Sequence, residues 1–160
     1  MLIGGTSVIH HPKTARLSLG VCPQFTAIDS QLTVREHLMI YGRLKGLNRG
    51  EELQNNIKSL LQVTGMIQYA DRLASKLSGG NKRKLSLAIA LIGWFLLYEV
   101  NLILMDLLGN PSVILIDEFS TGIDAKMKRE MWGTLRNVVI GKAVIITTRM
   151  LRREPRWWAS

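Results

Sequence analysis

Apolar positions along the chain fall into helical and strand periods in a definite order. Val34, Leu38, Tyr41 and Leu44 share one helix face, and Thr33-Val34-Arg35-Glu36 in front of them is a capping box, with Gly46 as the stop. A second helix carries Leu53, Ile57, Leu60, Leu61 and Thr64 in register and stops at Gly65. A third places Leu85, Ala88, Ile89 and Ile92 on one face, with Ser78 where an N-cap should stand and Gly79 and Gly80 leaving the helix start uncovered. Asp124 caps a fourth, which bears Met127, Met131, Leu135 and Val138. Three short apolar runs read as strands: Leu17 to Val21, ended by Pro23; Ser112 to Ile116; and Ala143 to Thr147, reached through Gly141-Lys142. The second of these is continuously apolar and β-branched, as in a parallel sheet buried on both faces. The opening, Met1 to Thr14, contains a His10-His11-Pro12 turn and little periodicity.

Three of these elements carry candidate chemistry. The helix starting at Gly79 has Lys82, Arg83 and Lys84 in its first turns, where the helix dipole disfavours cations by roughly 0.3–1 kcal/mol each. A bound anion would reverse that penalty, so exposed amides, dipole and cations together read as a phosphate site; a capped surface helix with a basic solvated face is the alternative. The apolar run ending at Ile116 leads into Asp117-Glu118. Adjacent carboxylates at the carboxyl end of a buried strand stand where an open α/β sheet keeps its ligands, and they are costly to bury without a cation. Gln24 follows the first strand directly, in what is otherwise an ordinary Pro-Gln turn.

Composition narrows the class. The chain has 160 residues, 47% hydrophobic and 21% charged, which is one globular domain by length. Its single cysteine, Cys22, excludes an internal disulfide and fits a reducing compartment, and no leader pattern stands at the N-terminus. The net charge of +9 is concentrated at Lys82 to Lys84, at Lys126 to Arg129 and in the last twelve residues. No aromatic residues interleave with the first two clusters as a stacking platform would require, so no nucleic-acid partner is expected.

Taken in order, Gly-Val-Cys-Pro-Gln24, Leu-Ser78-Gly79-Gly80-Asn81, Ile-Asp117-Glu118 and Ser120-Thr121-Gly122-Ile123-Asp124 resemble the Q-loop, signature, Walker B motif and D-loop of ATP-binding cassette (ABC) proteins. The continuation Asn-Lys-Arg-Lys-Leu-Ser is similar to the A subfamily, lipid exporters, and more to their second cassette than their first. The resemblance implies an α/β fold: part of a P-loop NTPase-type parallel sheet with an all-helical signature subdomain at about 30–93 inside a cassette spanning 1–148. It implies ATP and Mg²⁺ as cofactors, with Glu118 as general base, Gln24 as sensor of the metal and attacking water, and Asp117 on Mg²⁺. Ser78, Gly79, Gly80 and Asn81 would meet ATP held by a second cassette, and Asp124 would cross to that partner. The other implied partner is a transmembrane domain, which puts the cassette on the cytosolic face of a membrane with no transmembrane helix of its own.

Three features depart from the family pattern. No Gly-x-x-x-x-Gly-Lys-Ser/Thr occurs in the 160 residues, so the family's ATPase activity does not transfer directly to this chain. Trp94 to Gly109 is an insertion; Glu99, Asn101 and Asp106 interrupt it, so it reads as a sequence accident such as a retained intron rather than a membrane span. Arg149 stands where the family has a histidine, and residues 149–160 form a divergent basic tail, either a frame change or a Trp-anchored membrane-surface segment. The implied function is ATP-driven, lipid-type transport, here as a fragment inactive alone. Two alternatives stand beside it: a non-catalytic partner that supplies only the signature face, and a chromosome- or repair-type ATPase. The compact helical unit between Gln24 and Ser78 argues against the last, which has a long coiled coil there.

Overall fold

The computed structural model describes residues 1–25, 27–92, 113–118, 122–138 and 143–147. The insertion 94–109, Phe119 to Thr121 of the D-loop-like segment, the Gly141-Lys142 turn, Arg149 and the tail 149–160 lie outside the described residues.

A two-residue hairpin opens the chain. Strands β1 (Leu2–Ile3) and β2 (Thr6–Ser7) pair antiparallel around Gly4 and Gly5, whose φ values of 53° and 78° are those of a type I′ turn. Helix α1 (Pro12–Leu17) follows, with proline in its first turn, where a missing N–H costs nothing. The weak periodicity of the opening hid both elements, because each is too short to show a period.

Strands β3 (Leu19–Cys22), β4 (Val113–Asp117) and β5 (Ala143–Thr147) form one parallel sheet in that order. Register pairs Gly20 with Ile114 and Val144, and Cys22 with Ile116 and Ile146, on one face; Val21, Leu115 and Ile145 align on the other. The first face is covered: Cys22, Ile114 and Ile116 are buried, with Val144 and Ile146 packed against them. The second is open, with Val21 47% and Ile145 56% exposed. On β4, for which burial on both faces is expected, Ile114 and Ile116 are buried while Val113 and Leu115 on the second face are half-buried.

Among the described residues, three α-helices stand between β3 and β4 in sequence. In α2 (Val34–Leu44) the capping box forms as its sequence predicts: Glu36 N–H donates to Thr33 Oγ1 at 3.2 Å, and Thr33 N–H to Glu36 Oε2 at 2.7 Å. Helix α3 (Glu51–Val63) packs on α2 and α4 and buries Leu53, Ile57, Leu60 and Leu61. Helix α4 (Gly79–Leu91) is enclosed on more than the one expected face, since Leu85, Leu87, Ala88, Ala90 and Leu91 are all buried. It sits between the sheet and α2, and its approach to β3 is close enough that a Cβ on Gly20 would lie 2.3 Å from the Ala90 carbonyl oxygen. Helix α5 (Ala125–Val138) closes the same core with Met131, Trp132, Leu135 and Val138. A salt bridge of 2.8 Å from Lys84 to Glu130 ties it to α4.

Candidate functional site

The carboxyl edge of the sheet gathers Gln24, Asp117 and Glu118. Gln24 leaves β3 just after Pro23, and its Nε2 donates to Glu118 Oε2 at 3.0 Å. Glu118 is 8% exposed and has φ of 43°, a left-handed conformation that glutamate rarely adopts. Its N–H extends the β4–β5 ladder by donating to the Thr147 carbonyl at 3.0 Å. Strain of this kind persists where surrounding contacts over-determine the geometry. Asp117 is exposed, and its Oδ1 accepts from the Thr147 hydroxyl. This set consists of hard oxygen donors, two carboxylates and an amide oxygen, the chemistry that suits Mg²⁺.

A second cluster lies at the start of α4. Ser78 and Gly79 are exposed, and Ser78 Oγ accepts from Asn81 N–H at 3.3 Å, so the predicted cap is in place. The Lys82 amide is met by the Ser78 carbonyl at 2.9 Å. Gly79 and Gly80 then lead the helix with amides that have no intrahelical acceptor. Asn81 is buried. A Cβ on Gly80 would come within 3.0 Å of the Met127 methyl group, which places the start of α4 against the first turn of α5. Asp124 caps that turn: its Oδ1 accepts from the amides of Lys126 and Met127 at 2.9 Å each. Those bonds, the Met127 amide foremost, hold the Asp124 carboxyl below its ordinary range.

The three cations of the first turns do not form the basic phosphate cradle that their spacing suggests. Arg83 is 6% exposed and donates to the carbonyls of Pro23, Asp117 and Glu118; Lys84 is buried and paired with Glu130. Only Lys82, half-buried, has no side-chain partner among the described residues. Helical spacing carries the signal for this, because Arg83 and Lys84 sit one turn before Leu87 and Ala88, both inside. Thr147 was legible only as a strand residue, and nothing in its sequence context marks it as the partner of Asp117.

The family model for ABC transporters matches residues 2–121 of the chain. The retinal-specific phospholipid-transporting ATPase ABCA4 of Bos taurus is 40% identical over 150 residues, 93% of this chain and 6% of that protein. The phospholipid-transporting ATPase ABCA7 of Homo sapiens is 38% identical over 151 residues, 94% of this chain and 6% of its own length. ATP-binding cassette sub-family A member 2 of Homo sapiens is 37% identical over 150 residues, again 93% and 6%. Among solved structures, an ATP-binding subunit of an ABC transporter superposes with a TM-score of 0.71 at 20% identity, covering 94% of this chain and 56% of that one. The chain belongs to the ABC transporter family, and the curated relatives named here are of its A subfamily. It spans about 6% of their length.

Proposed function

We propose that residues 1–148 are part of an ATP-binding cassette, with the signature carried by a helical subdomain at about 30–93, and that the parent protein uses ATP to move lipid across a membrane. The observation that carries the reading is the Gln24–Glu118 hydrogen bond, which joins the residue after β3 to the acid after β4 at the ligand-binding edge of a parallel sheet. The phospholipid-transporting names of the relatives point to the substrate class. Mg²⁺·ATP, when bound, supplies the phosphoryl group and the metal that neutralises its charge.

The chain's own residues then have distinct tasks. In a parent cassette that holds its own Mg²⁺·ATP, Asp117, held by the Thr147 hydroxyl, would face the metal and Glu118 would accept a proton from water, its carboxylate oriented by the Gln24 amide. Ser78 rigidifies the start of α4, so that the Gly79 and Gly80 amides can meet a phosphate presented by a second cassette. Asp124 fixes the first turn of α5 beside Gly80. The transmembrane domain of the parent is the second partner, with the cassette on the cytosolic face of the membrane; no described helix is long and apolar enough to cross a membrane.

The 160 residues contain no Gly-x-x-x-x-Gly-Lys-Ser/Thr, so on this reading they hydrolyse no ATP alone and act only on nucleotide held by another cassette. The test is nucleotide-dependent association of the purified chain with an intact second cassette carrying ATP and Mg²⁺.

A further inference from the structure

The β3–β4 ladder runs from Leu19 opposite Val113 to Cys22 opposite Ile116 and then stops, because Pro23 has no N–H to continue it. At that point the carbonyls of Pro23, Asp117 and Glu118 come together at the edge of the sheet, and the fork of Arg83 fills the gap. Its Nη1 donates to the Pro23 carbonyl at 2.5 Å, and its Nη2 to the carbonyls of Glu118 at 2.8 Å and Asp117 at 3.4 Å.

The arrangement is unusual for a buried cation. Among the described residues Arg83 makes no salt bridge, and its three hydrogen bonds all go to backbone carbonyls. Burying a guanidinium is expensive unless its donors find acceptors, and here both Nη groups do. The positions of the acceptors are informative: Pro23 immediately precedes Gln24, and the third carbonyl belongs to Glu118 itself. The fork therefore grips the backbone beside both partners of the 3.0 Å contact between Gln24 and Glu118. It grips them from the second turn of α4, the helix that starts at Ser78.

We propose that Arg83 is a positioning residue that sets the Gln24–Glu118 contact by clamping the two strand ends to helix α4. A planar guanidinium can span carbonyls on two strands, whereas a lysine ammonium is a compact charge on a flexible stem and cannot hold the same spread. The relevance of this clamp to ATP hydrolysis rests on the function proposed above; the clamp itself does not, and its test uses no nucleotide.

The experiment is NMR of the ¹⁵N-labelled 160-residue chain, reading the side-chain amide of Gln24, with the backbone amide of Glu36 in the α2 capping box as an internal standard for folding. In Arg83→Lys the Gln24 side-chain amide should exchange about tenfold faster with solvent and shift toward the free-amide position, the size expected for loss of one charge-assisted hydrogen bond, while Glu36 is unchanged. Arg83→Gln, which keeps a donor but not the fork, should behave in the same way. A merely structural arginine would speed exchange at both positions together. Unchanged Gln24 signals in folded variants would overturn the proposal. The wild-type chain gives a reading that needs no variant: the Arg83 Nη protons should appear as separate, slowly exchanging signals, and a freely rotating guanidinium would equally overturn the clamp. Absence of ATP-dependent association would remove the functional reading and leave each of these results standing.

Discussion

Gln24 and Glu118 are 94 residues apart in sequence and 3.0 Å apart in space, joined by a hydrogen bond from an amide nitrogen to a carboxylate oxygen. Neither residue stands inside a strand; each follows one, and the parallel pairing of β3 with β4 brings them to the same edge. The contact should be measurable as stability. Gln24→Ala should lower the unfolding free energy by about 1.5 kcal/mol, the lower end for bonds to charged groups because Gln24 is half exposed. In urea titrations the effect of Gln24→Ala should shrink in a Glu118→Gln background. Additive effects would mean that the two side chains do not interact in solution.

Ser78 separates a capping role from a phosphate role. Ser78→Ala should cost about 1 kcal/mol through loss of the cap. Ser78→Asp keeps an N-cap oxygen and should hold stability within about 0.5 kcal/mol of wild type, since the two residues cap comparably. The same variant places a negative charge where a triphosphate would sit, and it should abolish ATP-dependent association. Retained association in Ser78→Asp would show that this helix start meets no phosphate.

Gly20 and Gly42 differ in what an added methyl group would strike. At Gly20 the obstacle is the Ala90 carbonyl oxygen at 2.3 Å, part of a helix backbone; at Gly42 it is the Leu53 Cδ1 methyl at 2.5 Å, the end of a side chain. Gly20→Ala should therefore destabilise by about 3 kcal/mol or more, the upper end for overpacking, and Gly42→Ala by about 1 kcal/mol. Thermal unfolding of the two variants decides it, and equal losses would show that α4 does not pack on β3 at backbone contact.

Among the described residues, four carboxylates are held below their ordinary range in the folded chain. Thr33, first through its backbone N–H and then its hydroxyl, acts on Glu36; Arg35 acts on Asp71; the Met127 amide foremost acts on Asp124; and Lys84 acts on Glu130. A depressed folded-state value means that the folded chain binds fewer protons than the unfolded one. The stabilisation is complete above the ordinary carboxylate range and is lost as pH falls through about 4 and below. The urea midpoint should fall between neutral pH and about pH 3, and Asp124→Asn, which keeps the cap without a titrating group, should fall less. A midpoint independent of pH would contradict these contacts.

Sequence pattern revealed the elements whose ends are marked chemically. The capping box at Thr33 to Glu36, the caps at Ser78 and Asp124 and the strand Ala143–Thr147 all stand where their residues predict. Two kinds of feature escaped. The opening hairpin and α1 are too short for a period to register, and the inward turn of Arg83 and Lys84 depends on α4 being enclosed by the sheet, α2 and α5 together. A cation near a helix start reads as a surface charge unless its partners are known. Here they are the carbonyls of Pro23, Asp117 and Glu118 and the carboxylate of Glu130 on α5, and only the fold assembles them.

The most direct test of the account is calorimetric titration of the purified 160-residue chain into an intact second cassette whose catalytic glutamate has been neutralised, with and without ATP and Mg²⁺. The account predicts weak association that requires nucleotide, on the scale of one or two charge-assisted hydrogen bonds, and its loss in Gly80→Asp, with the folded state of that variant checked separately. Association of equal strength without ATP, or association indifferent to Gly80→Asp in a folded chain, would contradict the claim that Ser78, Gly79 and Gly80 act on a partner's nucleotide.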